Sequence, residues 1–435
     1  MKGTAALRRG ILSRDISVAV VGQGYVGVSL ACAAAEAGFR VFGVDVDSAR
    51  IAELGRGVLT VPGVDESLFR AGTSAGRATF TTDPSAMDAA DIVLVCVPTP
   101  VRDQTPDLSF VQDACRTVAE HLTEGGLVVL ESTTYPGTTE DLVRPALEAS
   151  GLTAGRDFLL AYSPERIDPG NPAFGLRNTP KLVGGMTPEA AGAATLFYEQ
   201  LVDKVVTLSS LRAAELAKLL ENAFRHVNVA LVNEMAMLCQ EMEIDVWEVV
   251  DAAATKPFGF MSFSPGPGVG GHCIPLDSTY LAWHVRRDAG HQFRILEQAE
   301  DVNAQMPAYV AARIGDALNE EGKAVKGATI LALGVSYKAD VGDTRESPAI
   351  KVVTQLHRRG AKVSFHDPFV EDVQVNGTRL SRAHLSAQMV QRADCVALLT
   401  PHSTYDLDWL AQEAQIVFDA RNAYGTARYA NVVRL

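Results

Sequence analysis

Residues 16–45 read ISVAVVGQGYVGVSLACAAAEAGFRVFGVD, and their order decides the fold. Ile16–Val21 is a short β-branched run, and Gly22-Gln-Gly24-Tyr-Val-Gly27 follows it at once. An Ala-rich helical stretch then ends at Gly38, a residue suited to stopping helices. Arg40–Val44 reads as the next strand, and Asp45 closes it. Strand, glycine turn, helix, strand, acid is the context in which G-x-G-x-x-G signals a dinucleotide site. The glycines let the backbone approach a pyrophosphate, and the helix N-terminus favours its charge. Asp45 lies 18 residues after Gly27, close to the roughly 20 expected of an acid that binds ribose hydroxyls. A carboxylate there repels a 2′-phosphate, so the expected cofactor is NAD rather than NADP.

Outward from this unit, the chain has 435 residues, 47% of them hydrophobic and 21% charged. This is an ordinary globular composition, and the length suggests two to three domains, each large enough for a core. The net charge of −13 repels phosphate backbones and anionic lipid, which argues against nucleic-acid and membrane partners. A local basic pocket could still hold a small anion. No run of about 18 apolar residues is present, and the N-terminal fifteen residues read as a short loose leader rather than a signal peptide. The six cysteines are scattered without a CxxC pair. That pattern suits reduced thiols in a cytoplasm and offers no metal site.

The first domain continues through Ala90–Pro100 and Leu127–Thr134, two buried-strand runs ending in small polar residues or proline. Ligands in open parallel sheets sit beyond the carboxyl ends of the strands. Pro98, Thr99, Ser132 and Thr133 are therefore expected to line a cofactor cleft. From Leu211 to about Glu243 neither Gly nor Pro occurs, and apolar residues recur every three or four positions. This predicts one helix roughly 50 Å long, a spine between domains and a candidate subunit contact. Opposite its apolar stripe stand Glu215, Lys218, Asn222 and Arg225. Such a polar stripe is ordinarily a solvated face.

The last third echoes the first. Ala328–Gly334, Lys362–Asp367, Ala393–Pro401 and Ile416–Ala420 repeat the order of Ser17–Gly22, Arg40–Asp45, Ala90–Pro100 and Leu127–Glu131. The expected architecture is α/β, with two doubly wound Rossmann-like domains joined by the long helix. The expected boundaries are 1–210, 211–310 and 311–435. The second Rossmann-like domain lacks the glycine fingerprint and carries Lys338, Asp340, Asp343, Arg345 and Glu346 in its first turn. A lysine and an arginine there suit a diphosphate held by side chains.

Between helix and echo lies a specified loop, with four glycines and three prolines between Pro265 and Asp277. His272 beside Cys273 is not a metal pair, since no second ligand pair lies at zinc spacing. A lone cysteine is usually a buried structural thiol, but this loop and the aspartate four residues on favour a nucleophile. Such a thiol needs a base or a nearby cation to ionise at neutral pH. Lys218 could supply the charge and Asn222 a hydrogen bond, being four residues apart on one helix face.

These stretches resemble the nucleotide-sugar 6-dehydrogenases, a family that includes UDP-glucose, UDP-N-acetylglucosamine and UDP-N-acetylmannosamine dehydrogenases. The matching motifs are VGQGYVG, PTP, ESTTYPGTT, SPERIDPGN, KLVGG, KLLENAF, PGPGVGGHCIPLD and GVSYKADVGDTRESPA, spread from about Ser17 to Asn422. The resemblance implies a four-electron oxidation of a sugar C6 alcohol to a carboxylate with two NAD⁺. It implies Cys273 as the thiol that captures the aldehyde, with Lys218 and Asn222 stabilising the oxyanion. Asp277 and Glu165 would handle protons and activate water, and Thr133 would help to position it. Gly22, Gly24, Tyr25, Val26, Gly27, Asp45, Pro98, Thr99, Ser132 and Arg345 would contact the cofactor. Glu165, Arg166, Lys218, Asn222, Phe263, Gly270, Lys338 and Arg421 would contact the UDP-sugar.

Several features favour the N-acetylhexosamine branch: His272 after the paired glycines, Leu276 in place of a common lysine, and Asp168-Pro169-Gly170 where the UDP-glucose branch has a second glutamate. The expected substrate is UDP-N-acetylglucosamine or its manno epimer, with UDP- or TDP-glucose the alternative. A two-electron β-hydroxyacid dehydrogenase would share the first domain and the Lys/Asn pair, but needs neither Cys273 nor a second nucleotide fold. A nucleotide-sensing scaffold without catalysis is the non-enzyme alternative. The long helix suggests a homodimer or a higher homo-oligomer.

Overall fold

The computed structural model describes residues 2–102, 105–168, 171, 173–271 and 274–435. His272, Cys273, Pro169 and Gly170, named above, lie outside the described residues. Two compact units divide the chain within the long helix: 1–221 with 279–290, and 222–278 with 291–435.

The first unit is built on an eight-stranded sheet. Its strands are β1 (Ser17–Val21), β2 (Arg40–Val44), β3 (Ala78–Thr81), β4 (Ile92–Val95), β7 (Leu127–Leu130), β8 (Leu159–Tyr162), β9 (Lys181–Gly185) and β10 (Val205–Leu208). A small hairpin of β5 (Val101–Arg102) and β6 (Thr105–Pro106) lies outside the sheet. The order is β10-β9-β8-β7-β4-β1-β2-β3, parallel from β3 to β8. Strands β4, β7 and β8 are buried at every position, which is why they read as unbroken apolar runs rather than alternating ones. Strand β9 then runs antiparallel, pairing Ala161 with Gly185 and Tyr162 with Gly184. The sheet reverses order at β1, which lies between β2 and β4, and a crevice at such a reversal is where open sheets bind ligands.

The N-terminus is not the loose leader expected. Helix α1 (Lys2–Ser13) packs on the helix Pro188–Tyr198, with Leu7 and Ile11 buried in the sheet's core. Two apolar residues four apart suffice for one turn-spanning contact, a signal too short to stand out among its arginines.

The second unit carries a five-stranded parallel sheet of β11 (Thr329–Leu333), β12 (Lys362–His366), β15 (Cys395–Leu398), β16 (Val417–Asp419) and β17 (Val432–Arg434). Its order is β12-β11-β15-β16-β17. The echo of the first domain is real: β11 lies between β12 and β15 as β1 lies between β2 and β4. Where the first sheet adds β3, the second unit has an antiparallel hairpin, β13 (Asp372–Val375) with β14 (Thr378–Ser381).

The long helix spans Leu211–Glu241, and its polarity is inverted relative to the ordinary expectation. Of the stripe expected to be solvated, Glu215, Lys218 and Asn222 are buried, as are His226 and Asn233, whereas Arg225 is exposed. Leu216, Leu220, Phe224, Leu231, Leu238 and Met242 are exposed, Leu220 by 64% and Leu231 by 57%. Each buried polar group in this run requires a partner, and Glu215 has three: it accepts from Gly137 N (2.6 Å), Thr139 N (2.9 Å) and the Thr139 hydroxyl (2.6 Å).

Candidate active site

In the first unit the glycine turn leaves β1 and starts helix α2 (Tyr25–Glu36) at Gly24. Gly22 has φ +91, and a Cβ there would meet the Cys96 carbonyl oxygen at 2.7 Å. A Cβ on Gly27 would lie 1.8 Å from the Gly22 carbonyl oxygen, whereas one on Gly24 would meet nothing within 4 Å. The first glycine makes the turn, the third lets helix and strand close up, and the second leaves open room beside the helix N-terminus. That is the cradle a pyrophosphate needs, with Tyr25 and Val26 half-buried on the first helical turn beside it. Asp45 caps the end of β2. It accepts from Gln23 N (2.6 Å) and Asp47 N (2.9 Å), and it pairs with Arg50 at 3.2 Å. Arg50 also reaches Asp47 at 3.3 Å, so two carboxylates compensate its charge.

The neighbouring strand ends stand where the sequence places them. Pro98 is exposed and Thr99 buried. Ser132 donates to the Val97 carbonyl at 2.7 Å, tying the end of β7 to that of β4. Thr133 is half-buried, but Thr134 is fully buried and its hydroxyl has no hydrogen-bond partner among the described residues. The sequence reading passed over Thr134, since two adjacent threonines differ only in which face the backbone gives them.

Glu165 follows β8 and is buried. Its Oε1 accepts from Arg166 N (2.5 Å) and Ile167 N (2.6 Å), while Oε2 makes no hydrogen bond among the described residues and lies 3.6 Å from Lys181 Nζ. The Arg166 guanidinium is engaged by Glu221 at 2.7 Å and by the Pro180 carbonyl at 2.5 Å. Lys218 is buried on the long helix and makes no ion pair with another described residue.

In the second unit Asn222 is fully buried and donates through Nδ2 to Asp277, also buried, on the helix Ile274–His284. Arg225 in turn donates to Asn222 Oδ1. This chain fixes the Asn222 amide and presents a carboxylate four residues after Cys273. The glycine loop is pinned by close approaches. A Cβ on Gly266 would meet Arg421 Nη1 at 2.6 Å, and one on Gly270 would meet Pro348 Cδ at 2.6 Å and Tyr337 Cβ at 2.9 Å. Gly271 donates to the Arg345 carbonyl at 3.1 Å. Phe263 packs edge-on against Phe224, centroids 5.8 Å apart.

The loops after β11 and β15 meet at the second sheet's reversal point. Asp367, at the position matching Asp45, is buried. Its Oδ2 accepts from Val335 N (2.8 Å), Ser336 N (3.0 Å), the Ser336 hydroxyl (3.0 Å) and His402 Nε2 (3.0 Å). The Asp340 N–H donates to His402 Nδ1 at 2.9 Å, so the proton of a neutral His402 sits on Nε2. Burial opposes the ionisation of Asp367, yet His402 and the backbone donors hold its carboxyl down at about 2. The acid that faces ribose in a dinucleotide fold is thus turned inward here as an anchor for the loop bearing Lys338. Lys338 itself is half-buried, and Arg345 is paired with Asp343 at 2.6 Å. Arg421 makes no ion pair among the described residues. It donates to the Leu399 carbonyl at 3.3 Å, and burial lowers its pKa to about 10. An uncompensated guanidinium at the ends of strands suits a bound anion.

The described thiols are poor nucleophiles. Cys32, Cys96, Cys115, Cys239 and Cys395 are all buried. Burial pushes Cys32, Cys115 and Cys395 to about 12 and Cys96 well above its ordinary value.

Comparison with known proteins identifies the family. Residues 16–202 match the NAD-binding domain of the UDP-glucose/GDP-mannose dehydrogenase family, residues 212–305 its central domain and residues 331–426 its UDP-binding domain. The chain belongs to that family. It is an NAD-dependent nucleotide-sugar dehydrogenase, as the fingerprint and the second nucleotide fold lead one to expect. It is 34% identical over 412 residues to a UDP-N-acetyl-D-mannosamine dehydrogenase of Pyrococcus horikoshii, covering 93% of this chain and 95% of that protein. A UDP-N-acetyl-D-glucosamine 6-dehydrogenase of Pseudomonas aeruginosa is 36% identical over 362 residues, covering 82% of this chain and 84% of that one. The solved structure of a UDP-D-ManNAc dehydrogenase from Pyrococcus horikoshii superposes with a TM-score of 0.87 at 32% identity, covering 96% and 98% of the two chains. The glycine cradle and Asp45 fit the NAD that this family's first domain binds.

Proposed function

We propose that this enzyme oxidises the C6 alcohol of UDP-N-acetylglucosamine or UDP-N-acetylmannosamine to the carboxylate. The sugar alcohol, two NAD⁺ and one water give the carboxylate, two NADH and three protons. The observation that carries this reading is the buried Asn222–Asp277 hydrogen bond: it holds an amide and a carboxylate on two helices, beside the thiol loop in sequence. The five described cysteines are buried, and Cys273 stands in the glycine loop four residues before Asp277.

Bound NAD⁺ supplies the hydride acceptor for each oxidation. Gly22, Gly24, Gly27 and Asp45 hold it, with Pro98, Thr99, Ser132 and Arg345 around it. Cys273 adds to the C6 aldehyde and keeps the half-oxidised sugar covalently bound until water releases the acid from the thioester. Lys218 and Asn222 donate to the oxyanion, each preorganised donor contributing on the order of 3 kcal/mol. Asp277 and Glu165 take up and return protons, and Thr133 positions the water. Lys338 and Arg421 receive the diphosphate, while Phe263, Gly270 and Arg166 shape the sugar pocket. Both N-acetylhexosamine sugars are named among the relatives, which supports the branch over UDP- or TDP-glucose.

The exposed stripe of the long helix supports a homodimer. Phe224, Leu231 and Leu238 are spaced by seven, the repeat of a seam that pairs with a second helix. No described helix is long and apolar enough to cross a membrane, and the described cysteines are free thiols, as suits work in the cytoplasm.

The test is NADH formed per sugar consumed across a panel of UDP- and TDP-sugars. We expect two for an N-acetylhexosamine. A yield of one would point instead to a two-electron alcohol dehydrogenase. Cys273→Ser should allow at most a slow first oxidation or a trapped ester, and a near wild-type rate with two NADH would overturn the thioester scheme.

A further inference from the structure

Three stretches far apart in the chain, beginning at Glu131, Ser163 and Lys181, converge at the carboxyl ends of β7 and β8. The antiparallel direction of β9 brings Lys181 there. Its Nζ lies 2.6 Å from Glu131 Oε2, 3.1 Å from the Pro164 carbonyl and 3.6 Å from Glu165 Oε2. Its side chain is 3% exposed, that of Glu131 0% and that of Glu165 7%. The Tyr198 hydroxyl, on the helix Pro188–Tyr198, donates to the other oxygen of Glu131. One ammonium thus serves two buried carboxylates, a stable arrangement only because each charge has a partner. Among the described residues, the remaining titratable group facing the cluster is the Cys96 thiol, which burial keeps neutral.

The mechanism above uses Glu165 and leaves Lys181, Glu131 and Tyr198 without a task. Yet Glu165 Oε2 is buried with no hydrogen bond among the described residues, so its charge is balanced mainly by an ammonium it shares. We propose that Lys181 is a positioning residue for Glu165, and that Glu131, backed by Tyr198, sets how much of the Lys181 charge reaches it. The inference rests on Glu165 as a proton-handling group of the proposed reaction. Burial raises the Glu131 carboxyl to about 7, with Lys181 pulling the other way, so Glu131 changes charge near neutral pH. A protonated Glu131 leaves Lys181 to Glu165 alone; an ionised Glu131 competes for it and repels Glu165.

The test is the pH profile of kcat at saturating NAD⁺ and UDP-N-acetylhexosamine, read across neutral pH, where Glu131 changes charge. Glu131→Gln keeps an oxygen for Lys181 and an amide for the Tyr198 hydroxyl oxygen, and fixes the cluster in the state of a neutral Glu131. It should remove the inflection near neutral pH that the wild type shows. Lys181→Met should lower kcat about tenfold with KM for the sugar unchanged, and Lys181→Arg should restore it. Mere structural support would lower stability in both variants and leave the inflection in place. A Glu131→Gln profile that keeps the inflection overturns the inference; if Lys181→Met does not fold, Glu131→Gln and Lys181→Arg decide. An inactive Glu165→Gln beside a Glu131→Gln that keeps the inflection overturns this inference alone, whereas a fully active Glu165→Gln overturns the role of Glu165 and the inference with it.

Discussion

Lys218 shows how much a single buried cation is asked to do. It sits on the inward face of the long helix without an ion pair among the described residues, an arrangement that favours a ligand carrying or developing negative charge. Lys218→Ala should therefore lower kcat by two to three decades with an unchanged melting temperature. Steady-state rates with the preferred UDP-sugar measure it, and a loss below tenfold would remove Lys218 from the oxyanion site. At this scale the residue types were legible in sequence, because Lys218 and Asn222 stand four apart on one helix and Asp277 four residues after Cys273. Their surroundings were not. Arg166 and Arg345, expected at ligands, are already bound to Glu221 and Asp343. Lys181 and His402, which carry much of the local electrostatics, have no spacing signal, since Glu131 lies 50 residues from Lys181 and Asp367 lies 35 from His402.

Among the elements, the strand-turn-helix from Ser17 to Glu36 makes the sharpest demand on its residues. Gly27→Ala places a methyl 1.8 Å from the Gly22 carbonyl oxygen, so helix and strand must separate, and we expect a loss of at least about 2 kcal/mol. Gly24→Ala meets no protein atom within 4 Å. It should melt like the wild type but bind NAD at least about tenfold more weakly, because its methyl enters the pyrophosphate's space. Thermal melts paired with an NAD titration separate the two, and wild-type affinity in Gly24→Ala would contradict the cradle. This element was fully legible, because its period changes and its glycines occur within thirty consecutive residues. Helix α1 was not, since its two buried anchors, Leu7 and Ile11, are too few to set a period.

The molecule as a whole carries its polarity on the long helix the wrong way round for a solvated surface helix. The polar stripe is buried against the fold and the apolar stripe faces out. A net charge of −13 opposes non-specific association, and the proposed occupant of the exposed seam is a second copy of the same helix. Leu231→Glu together with Leu238→Glu should weaken that pairing at least about tenfold. Sedimentation velocity would report it, and a wild type that sediments as a monomer would end the dimer proposal.

By itself the sequence determined two nucleotide folds, the NAD fingerprint and the long helix, because each is written in neighbouring residues whose periodicity or glycine spacing has one physical solution; the reaction class came from the resemblance of its motifs to a known family. Only the tertiary structure decided which face of the helix is inside, that β9 runs backwards, and that Lys181 therefore meets Glu131 and Glu165. These depend on contacts between segments far apart in the chain. A stripe or a strand has the same local pattern whichever way it is turned, and only the partners that desolvate it select the direction.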